Sequence, residues 1–331
     1  MRLPTEFVRL PFKFDVEQLS SEVQAFSESD WIPHPQGFAG NLSIPLISLR
    51  GEINNSFNGP MKATQHLERS PYIRQVLATI GEVYGRSRLM GLAAGCAVPQ
   101  HRDINYHWYN RVRIHIPVIT NPDVLFFCGD TYVHMEAGDT WIFDSWKPHS
   151  VENRSSENRV HLVVDTAGSA RFWQMVGESE WRCAKRTVKP AVAKDQVIAY
   201  DSDSLAQVQT EQFNAPIVMH PGEVDALLID IAMDLRAHTQ NDRQAAVAFE
   251  MMLQNFRKEW RRLWSLYGES SEGWPHFRSL IESVRLPSTP LLLASNNGSA
   301  IRTFSARVLN AALNESLAAD YESAWFADRK I

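Results

Sequence analysis

Cysteine is scarce in this chain, and no two cysteines lie close together. The chain has 331 residues and three cysteines, Cys96, Cys128 and Cys183. An odd number at such distant positions predicts neither a disulfide framework nor a thiolate zinc site. Isolated cysteines are typical of a reducing compartment, so we expect a cytoplasmic protein.

Long apolar runs and an excess of basic residues are also missing. No stretch approaches the roughly 20 apolar residues that a membrane span requires, and the N-terminus lacks the apolar core of a signal peptide. The 33 Lys and Arg residues are outnumbered by 38 Asp and Glu residues, which gives a net charge of -5. Phosphate binding calls for a basic surface, so we expect no membrane and no nucleic acid among the partners.

Short apolar segments between turn residues fill the stretch from about 88 to 167. Turn signals such as Gly129-Asp130 and Gly138-Asp139 separate them. Strands at such close spacing predict a mainly β core, either a barrel or a sandwich. The strand candidates are 88–94, 112–120, 124–128, 131–136, 139–144 and 159–166.

Apolar residues with helical spacing flank this core on both sides. Before it, helices over 14–26 and 72–84 would cover the outside of the core. After residue 180 the pattern becomes a linker and then helices, with candidates that start at Pro221, contain 249–267 and cover 300–318. We therefore predict a β domain with N-terminal helices at 1–180, and a linker and helical C-terminal region at 181–331. The helical region could form a lid, a partner surface or a homodimer interface.

A His-x-Asp pair and a distant histidine form the strongest chemical pattern. His101 and Asp103 are followed by His149, 46 residues after Asp103. Side chains two residues apart on a strand lie on the same face, so the pair could bind one metal ion, and the second histidine would come from a neighbouring strand. Two imidazoles and one carboxylate hold Fe(II) and leave adjacent positions for a 2-oxoacid and O₂. An isolated His-x-Asp occurs by chance in many proteins, so the surrounding segments must support it.

Cationic residues on two apolar strands give that support. Arg159 begins an apolar strand, where it either faces solvent or points inward to bind the distal carboxylate of 2-oxoglutarate. In the strand 111–118, aliphatic residues alternate with Arg111, Arg113 and His115. The polar face meets solvent in most antiparallel strands, or it lines a cavity that binds carboxylates. Because this strand lies between the two segments that carry the candidate ligands, we favour the cavity.

Four segments in order resemble the aspartyl/asparaginyl β-hydroxylase family of Fe(II)- and 2-oxoglutarate-dependent oxygenases. They are PQHRD, RVRIHIPV, GDTWIFDSWKPHSVENRS and NRVHLVVD, and the resemblance covers roughly residues 70–175. It implies a double-stranded β-helix core, also called a jelly roll or cupin-like fold. It further implies Fe(II), 2-oxoglutarate and O₂ as cofactor and cosubstrates, and hydroxylation of an unactivated C–H bond with release of succinate and CO₂.

The resemblance also implies roles for individual residues. His101 and His149 match the iron-binding histidines, Arg159 matches the arginine that binds 2-oxoglutarate, and His115 matches a histidine near the cosubstrate. Arg113 matches an arginine that helps to hold a substrate carboxylate. Animal members lack the carboxylate ligand, whereas Asp103 is present here. The chain is therefore more similar to the bacterial small-molecule branch, which includes free-proline hydroxylases.

Other readings stay open at this point. The jelly roll could be a non-catalytic binding module, or a cupin-type enzyme with another metal. The substrate is expected to carry a carboxylate and to be an amino acid such as proline, or a peptide. Arg111 and Trp108 are further candidates for substrate binding, although Trp108 could equally be an ordinary core aromatic. His107, His134 and His161 are interpreted as core, loop or rim residues.

Overall fold

Antiparallel sheets dominate the part of the chain before residue 213. The computed structural model describes residues 1–183, 186–188, 196–204 and 206–327. They divide into two units: the first contains Met1–Asp103 and Asn110–Gln212, and the second contains Ile104–Tyr109 and Phe213–Ile331. Among the described residues, no helix combines the length and apolar character that crossing a bilayer would need.

The first unit contains two sheets between which the chain passes repeatedly. The larger sheet has the strand order β14-β13-β1-β10-β7-β12-β5-β3-β2, and the smaller one has the order β6-β11-β8-β9. From β5 to β12 the chain crosses between the two sheets at every step except from β8 to β9, which form a hairpin in the smaller sheet; this repeated crossing confirms the predicted jelly roll. The strands are β1 Phe7–Phe14, β2 Ile32–Pro33, β3 Asn41–Leu49, β4 Met61–Ala63, β5 Val83–Leu92, β6 Ala97–His101, β7 Val112–Ile119, β8 Val124–Cys128, β9 Thr131–Val133, β10 Asp139–Phe143, β11 His149–Asn153, β12 Arg159–Thr166, β13 Glu180–Cys183, β14 Arg186–Val188, β15 Gln196–Ile198 and β16 Gln209–Thr210.

The alternation of side chains on the strands builds two separate cores. On β7, Ile114 and Ile116 join the core on the outer face of the larger sheet, and helices pack against this face. The inner core lies between the sheets and contains Phe7 and Phe143 from one sheet with Phe126 from the other. The helices of this unit are α1 Val16–Gln24, α2 Gln65–Glu68, α3 Pro71–Ile80 and α4 Ala170–Gly177.

Helix α3 is shorter than the 72–84 segment predicted for it. Gly81 ends the helix in the left-handed conformation, with φ of 72°, which is typical of a helix C-terminus. The chain then enters β5 at Val83, so the apolar residues after Gly81 belong to a strand. Helical and strand periods overlap over short apolar runs, which explains the misplaced end.

The segment after residue 180 contributes strands to the larger sheet. β13 pairs with β1, and β16 pairs with β5. The first unit consequently extends to Gln212, whereas we expected the domain boundary near 180. Part of the expected linker lies outside the described residues.

The second unit is helical, as predicted. Its longest helix, α6, buries the expected aromatic stripe, including Phe249, Phe256 and Trp260. The helix predicted at 300–318 is divided into a short α-helix and a π-helical turn, and a separate helix follows. The elements are α5 Pro221–Ala237, α6 Arg243–Tyr267, α7 Trp274–Ser283, α8 Ala300–Phe304, the π-helical turn Ser305–Leu309 and α9 Leu317–Ala327.

Candidate metal centre

The pairing of β6 with β11 brings the two predicted histidines together. His149 lies directly opposite His101 in this antiparallel pair, and the ring centroids are 4.2 Å apart. Asp103 follows β6 by two residues. One nitrogen from each imidazole and one oxygen of Asp103 all lie within 4.8 Å of one another. Three donors at this separation can share a single metal ion.

Hydrogen bonds orient both imidazoles towards this point. His101 Nδ1 lies 2.8 Å from the Pro99 carbonyl oxygen, and His149 Nδ1 lies 2.9 Å from the Lys147 carbonyl oxygen. Each Nδ1–H can therefore donate to the backbone, which leaves Nε2 available as a ligand. This arrangement is the usual second-shell support of a metal-binding histidine.

Two buried polar atoms of this cluster have no hydrogen-bond partner. They are His149 Nε2 and Asp103 Oδ2. Buried polar groups are almost always satisfied, so orphaned atoms that converge require an explanation, and a bound cation supplies one. Burial lowers the pKa of His149 to about 4, so its imidazole is neutral at pH 7 and need not lose a proton to bind a metal.

The turn between β10 and β11 holds the remaining ligand in place. The backbone N–H of Asp103 donates to the Ser145 carbonyl oxygen at 3.0 Å. Within the turn, the Trp146 N–H donates to Asp144 Oδ1 at 3.2 Å. Burial raises the pKa of Asp144 to about 6. Sequence reasoning did not assign a function to Asp144, and its strand-end position gave no signal of one.

A cavity of about 70 Å³ opens beside the three donors within the first unit. Its apolar wall includes Met90, Phe126 and Phe143, and its polar wall includes Arg113, His115 and Arg159. A volume of this size is several times that needed for one water molecule. Two of the three residues on the polar face of the 111–118 segment, Arg113 and His115, thus line this cavity.

A hairpin that sequence reasoning missed also borders the cavity. His34, Gln36 and Phe38 lie in the connection between β2 and β3 and contribute to the cavity lining. The His34 and Phe38 rings stack with centroids 5.8 Å apart. Proline and glycine in this segment predicted a loop, but no pattern in the sequence predicted that the loop would border the cavity.

Arg159 is buried inside the first unit without a countercharge. Its side chain is 5% exposed, its Nε has no hydrogen-bond partner, and no described residue forms an ion pair with it. Burial lowers the pKa of Arg159 to about 9. A buried guanidinium without a carboxylate is costly, so the site suits an anionic guest.

A second group of arginines lies towards the other end of β12. Arg113 Nε is 3.3 Å from Asp165 Oδ1, and Arg113 Nη1 is 3.9 Å from Asp103 Oδ2. Arg86 and Arg88 are also buried, and each donates to Asn55 at 3.0 Å. Sequence reasoning missed both. The available signal was a pair of charged residues that alternate within the apolar strand β5.

Arg111 and Trp108 lie outside this constellation. Arg111 precedes β7, and its Nε donates to Glu211 Oε1 at 2.7 Å, so its charge is already paired. Trp108 belongs to the second unit, where it is buried with its ring centroid 4.6 Å from that of His107. The structure therefore brings together six of the eight predicted site residues in the first unit.

Comparisons with known proteins agree with this geometry. The family model described as aspartyl/asparaginyl beta-hydroxylase matches residues 54–168, which confirms the resemblance seen in the sequence. L-proline cis-3-hydroxylase 1 from Streptomyces sp is 26% identical over 175 residues, and L-proline cis-4-hydroxylase from Rhizobium meliloti (strain 1021) is 26% identical over 166 residues. Each match covers 48% of this chain and 59% of the relative, so the chain spans less than two thirds of either relative's length.

One of the solved structures that match this chain does so at low similarity. It is HygX from Streptomyces hygroscopicus, with nickel and 2-oxoglutarate bound; it is 14% identical, with a TM-score of 0.34, and the match covers 49% of this chain and 82% of HygX. A TM-score this low does not decide the fold. The assignment of the jelly roll rests on the strand order itself.

Proposed function

We propose, on the premise that residues 54–168 match the aspartyl/asparaginyl β-hydroxylase family, that this protein is an Fe(II)- and 2-oxoglutarate-dependent dioxygenase that hydroxylates an amino acid. The observation that carries the proposal is the convergence of His101, Asp103 and His149, which includes two buried and unsatisfied donor atoms. The bound metal and 2-oxoglutarate would supply the oxidising chemistry that places one oxygen atom on carbon and releases succinate and CO₂.

The three donors fit Fe(II) better than a closed structural metal site. Two neutral imidazoles and one carboxylate would occupy one side of the ion, and the adjoining cavity leaves the other side open to ligands. The backbone carbonyl groups behind His101 and His149 would keep each Nε2 directed at the ion. A zinc or manganese enzyme on the same fold has no specific feature of the site in its favour.

Arg159 and His115 would bind 2-oxoglutarate. The planar guanidinium of Arg159 can bind the distal carboxylate of 2-oxoglutarate through two parallel hydrogen bonds. That carboxylate would also neutralise a buried positive charge with which no described residue forms an ion pair. His115 lines the same cavity, and its Nε2 has no partner within the protein. The aromatic rings of Phe126 and Phe143 would help to exclude water from the reacting atoms.

The substrate would bind at the Arg113 end of the cavity. Arg113 and Asp165 are paired on neighbouring strands, and Asp165 lies six residues beyond Arg159, or roughly 20 Å along β12. Although Arg113 is paired with Asp165, the buried Arg86 and Arg88 add two further positive charges at this end, which suits a substrate carboxylate, while Arg159 suits a carboxylate of the cosubstrate. Both relatives are named as proline hydroxylases, so a free amino acid, and proline in particular, is our preferred substrate class. A peptide with a carboxylate is the alternative.

An anaerobic titration followed by product detection tests the proposal. The protein is titrated with Fe(II) and 2-oxoglutarate without oxygen, then mixed with air and an amino-acid panel, and mass spectrometry records the gain of one oxygen atom and the release of succinate. His149→Ala should abolish both signals, whereas His276→Ala, which removes an exposed histidine of the second unit, should retain them. Fe(II) binding without any succinate from any substrate would instead favour a binding module.

Location and oligomeric state remain predictions from the sequence. The cytoplasmic location rests on the isolated cysteines, and the homodimer rests on the helical C-terminal region. Light scattering coupled to size-exclusion chromatography would measure the mass of the particle in solution.

A further inference from the structure

Two histidines on adjacent strands form a buried pair, and one of them lines the cavity. His115 on β7 and His161 on β12 face each other, with their Nδ1 atoms 3.4 Å apart. Both side chains are almost fully buried, and the Nε2 atom of each has no hydrogen-bond partner. His115 lines the cavity, whereas His161 is not among the lining residues. His161 has no role in the proposed chemistry so far.

Both imidazoles of this pair are neutral. Burial, and then the nearby positive charges of Arg113 and Arg159, lower the pKa of His115 well below its ordinary value. Burial and then the charge of Arg159 do the same to the pKa of His161. A neutral imidazole carries one N–H, so the contact between the two Nδ1 atoms needs a proton on one of them and a lone pair on the other.

Two arrangements of these protons are available, and the surroundings distinguish them. If His115 Nδ1 were the donor, His161 would carry its proton on Nε2, where a buried N–H would have no acceptor. If His161 Nδ1 is the donor, its Nε2 is a bare acceptor, and the N–H without a protein partner falls instead on His115, which lines the cavity and can donate to a guest there. Orphaned N–H groups are rarer in folded proteins than acceptors that lack a full set of partners.

The cavity side of His115 leads to the same arrangement. His115 lines a space whose polar wall also holds Arg113 and Arg159, which suits an anionic guest, and Nε2 is the ring nitrogen that is not engaged with His161. A bare nitrogen there would repel a carboxylate oxygen, whereas an N–H would donate to it. Both arguments place the proton of His115 on Nε2 and the proton of His161 on Nδ1.

We propose that His161 is a positioning residue: its Nδ1–H donates to His115 Nδ1 and so fixes His115 as the tautomer that presents an N–H donor to the cavity. The consequence for 2-oxoglutarate rests on the proposed function, but the tautomers themselves do not. His161 would thus act on the cosubstrate without touching it. This role goes beyond that of His115 alone, because a residue on the neighbouring strand determines which nitrogen of His115 carries the proton.

Nitrogen NMR on the metal-free protein reads the tautomers directly. The whole chain is labelled with ¹⁵N at histidine, and the two signals are assigned by comparison with His115→Gln and His161→Asn. We expect His115 to be protonated at Nε2 and His161 at Nδ1. The reverse pair, with His115 protonated at Nδ1, would overturn the proposal whatever the enzyme does.

Two substitutions at position 161 separate hydrogen bonding from packing. His161→Asn keeps an N–H donor near the Nδ1 position, whereas His161→Leu keeps the bulk and removes the donor. In the leucine variant we expect a second, Nδ1-protonated population of His115 and about tenfold weaker binding of 2-oxoglutarate to the Zn(II)-loaded protein, since one hydrogen bond is worth roughly 1–1.5 kcal/mol. The asparagine variant should retain the wild-type tautomer and affinity.

The outcomes of this test are distinct. An unchanged His115 spectrum and an unchanged 2-oxoglutarate affinity in His161→Leu would refute the positioning role. Equal losses in both variants would indicate packing alone and would also refute it. His66→Leu, which removes another buried histidine of the first unit, controls for general destabilisation and should leave the His115 signals in place. If even the wild type does not bind 2-oxoglutarate, the proposed function fails, while the NMR result still decides the tautomers.

Discussion

Replacing Arg159 with methionine should stabilise the ligand-free protein and strongly weaken cosubstrate binding. Arg159 is 5% exposed, and burial lowers its pKa to about 9. A depression of that size corresponds to roughly 5 kcal/mol of unfavourable free energy for the charged form, taken as an upper bound. Methionine fills a similar volume without a charge, so we expect an unfolding free energy about 1–4 kcal/mol higher than in the wild type.

The same substitution removes the proposed partner of the distal carboxylate. A buried carboxylate that loses a bidentate guanidinium should lose about 3–5 kcal/mol, so 2-oxoglutarate should bind at least 10²- to 10³-fold more weakly. Urea unfolding of the metal-free protein measures the first effect, and anaerobic titration of the metal-loaded protein measures the second. Arg159→Lys keeps the charge but loses the planar fork, and it should give intermediate binding.

Arg111→Met is the matched control for this experiment. Arg111 is similarly buried, but its charge is paired with Glu211. Its removal leaves a buried carboxylate uncompensated and should destabilise the protein by about 3–5 kcal/mol without changing the affinity for 2-oxoglutarate. An Arg159→Met protein that is less stable than the wild type and binds 2-oxoglutarate normally would refute the reasoning about an unpaired buried charge.

Three further predictions concern the metal, a buried acid and a turn. Ni(II) at 100 times its dissociation constant should raise the unfolding free energy by about 2.7 kcal/mol, and His149→Ala should remove this gain in thermal unfolding. Folding raises the pKa of Asp144 from 3.8 to about 6, so as the pH rises the unfolded state loses this proton before the folded state does. The unfolding free energy should therefore fall by up to about 3 kcal/mol as the pH rises from 4 to 6. Urea unfolding at several pH values measures this loss, and Asp144→Asn should not show it. Gly138→Ala should lower the free energy of unfolding by more than about 2 kcal/mol in urea, because φ is +79° and the new Cβ would lie 2.6 Å from the Phe14 carbonyl oxygen. Gly95→Ala is the control, since it adds backbone strain but no steric clash.

Strand periodicity accounts for what could be predicted at the site. The alternation in β7 placed Arg113 and His115 on one face and the aliphatic residues on the other, because side chains on a strand alternate with period two. Arg111 obeyed the same pattern in the sequence but lies before the strand begins. Its partner, Glu211, is 100 residues away, and no local pattern reports such a contact.

Buried charge was harder to predict than exposed charge. Arg86 and Arg88 look like ordinary charged residues of a strand edge, yet both lie inside the first unit. Their burial depends on the position of β5 between β12 and β3 in the larger sheet. The order of strands in a sheet follows from packing over the whole unit, so it is not readable from β5 alone.

The sequence by itself predicted the candidate metal ligands, and it determined the alternating faces of the strands and the presence of a helical C-terminal region. Each of these depends on residue type and short-range spacing, which the chain carries locally. The tertiary structure alone decided that His149 stands opposite His101, that Arg159 has no countercharge among the described residues, and that His161 meets His115. These facts depend on the register between strands that are distant in the chain, and register is set by the packing of side chains from many elements at once.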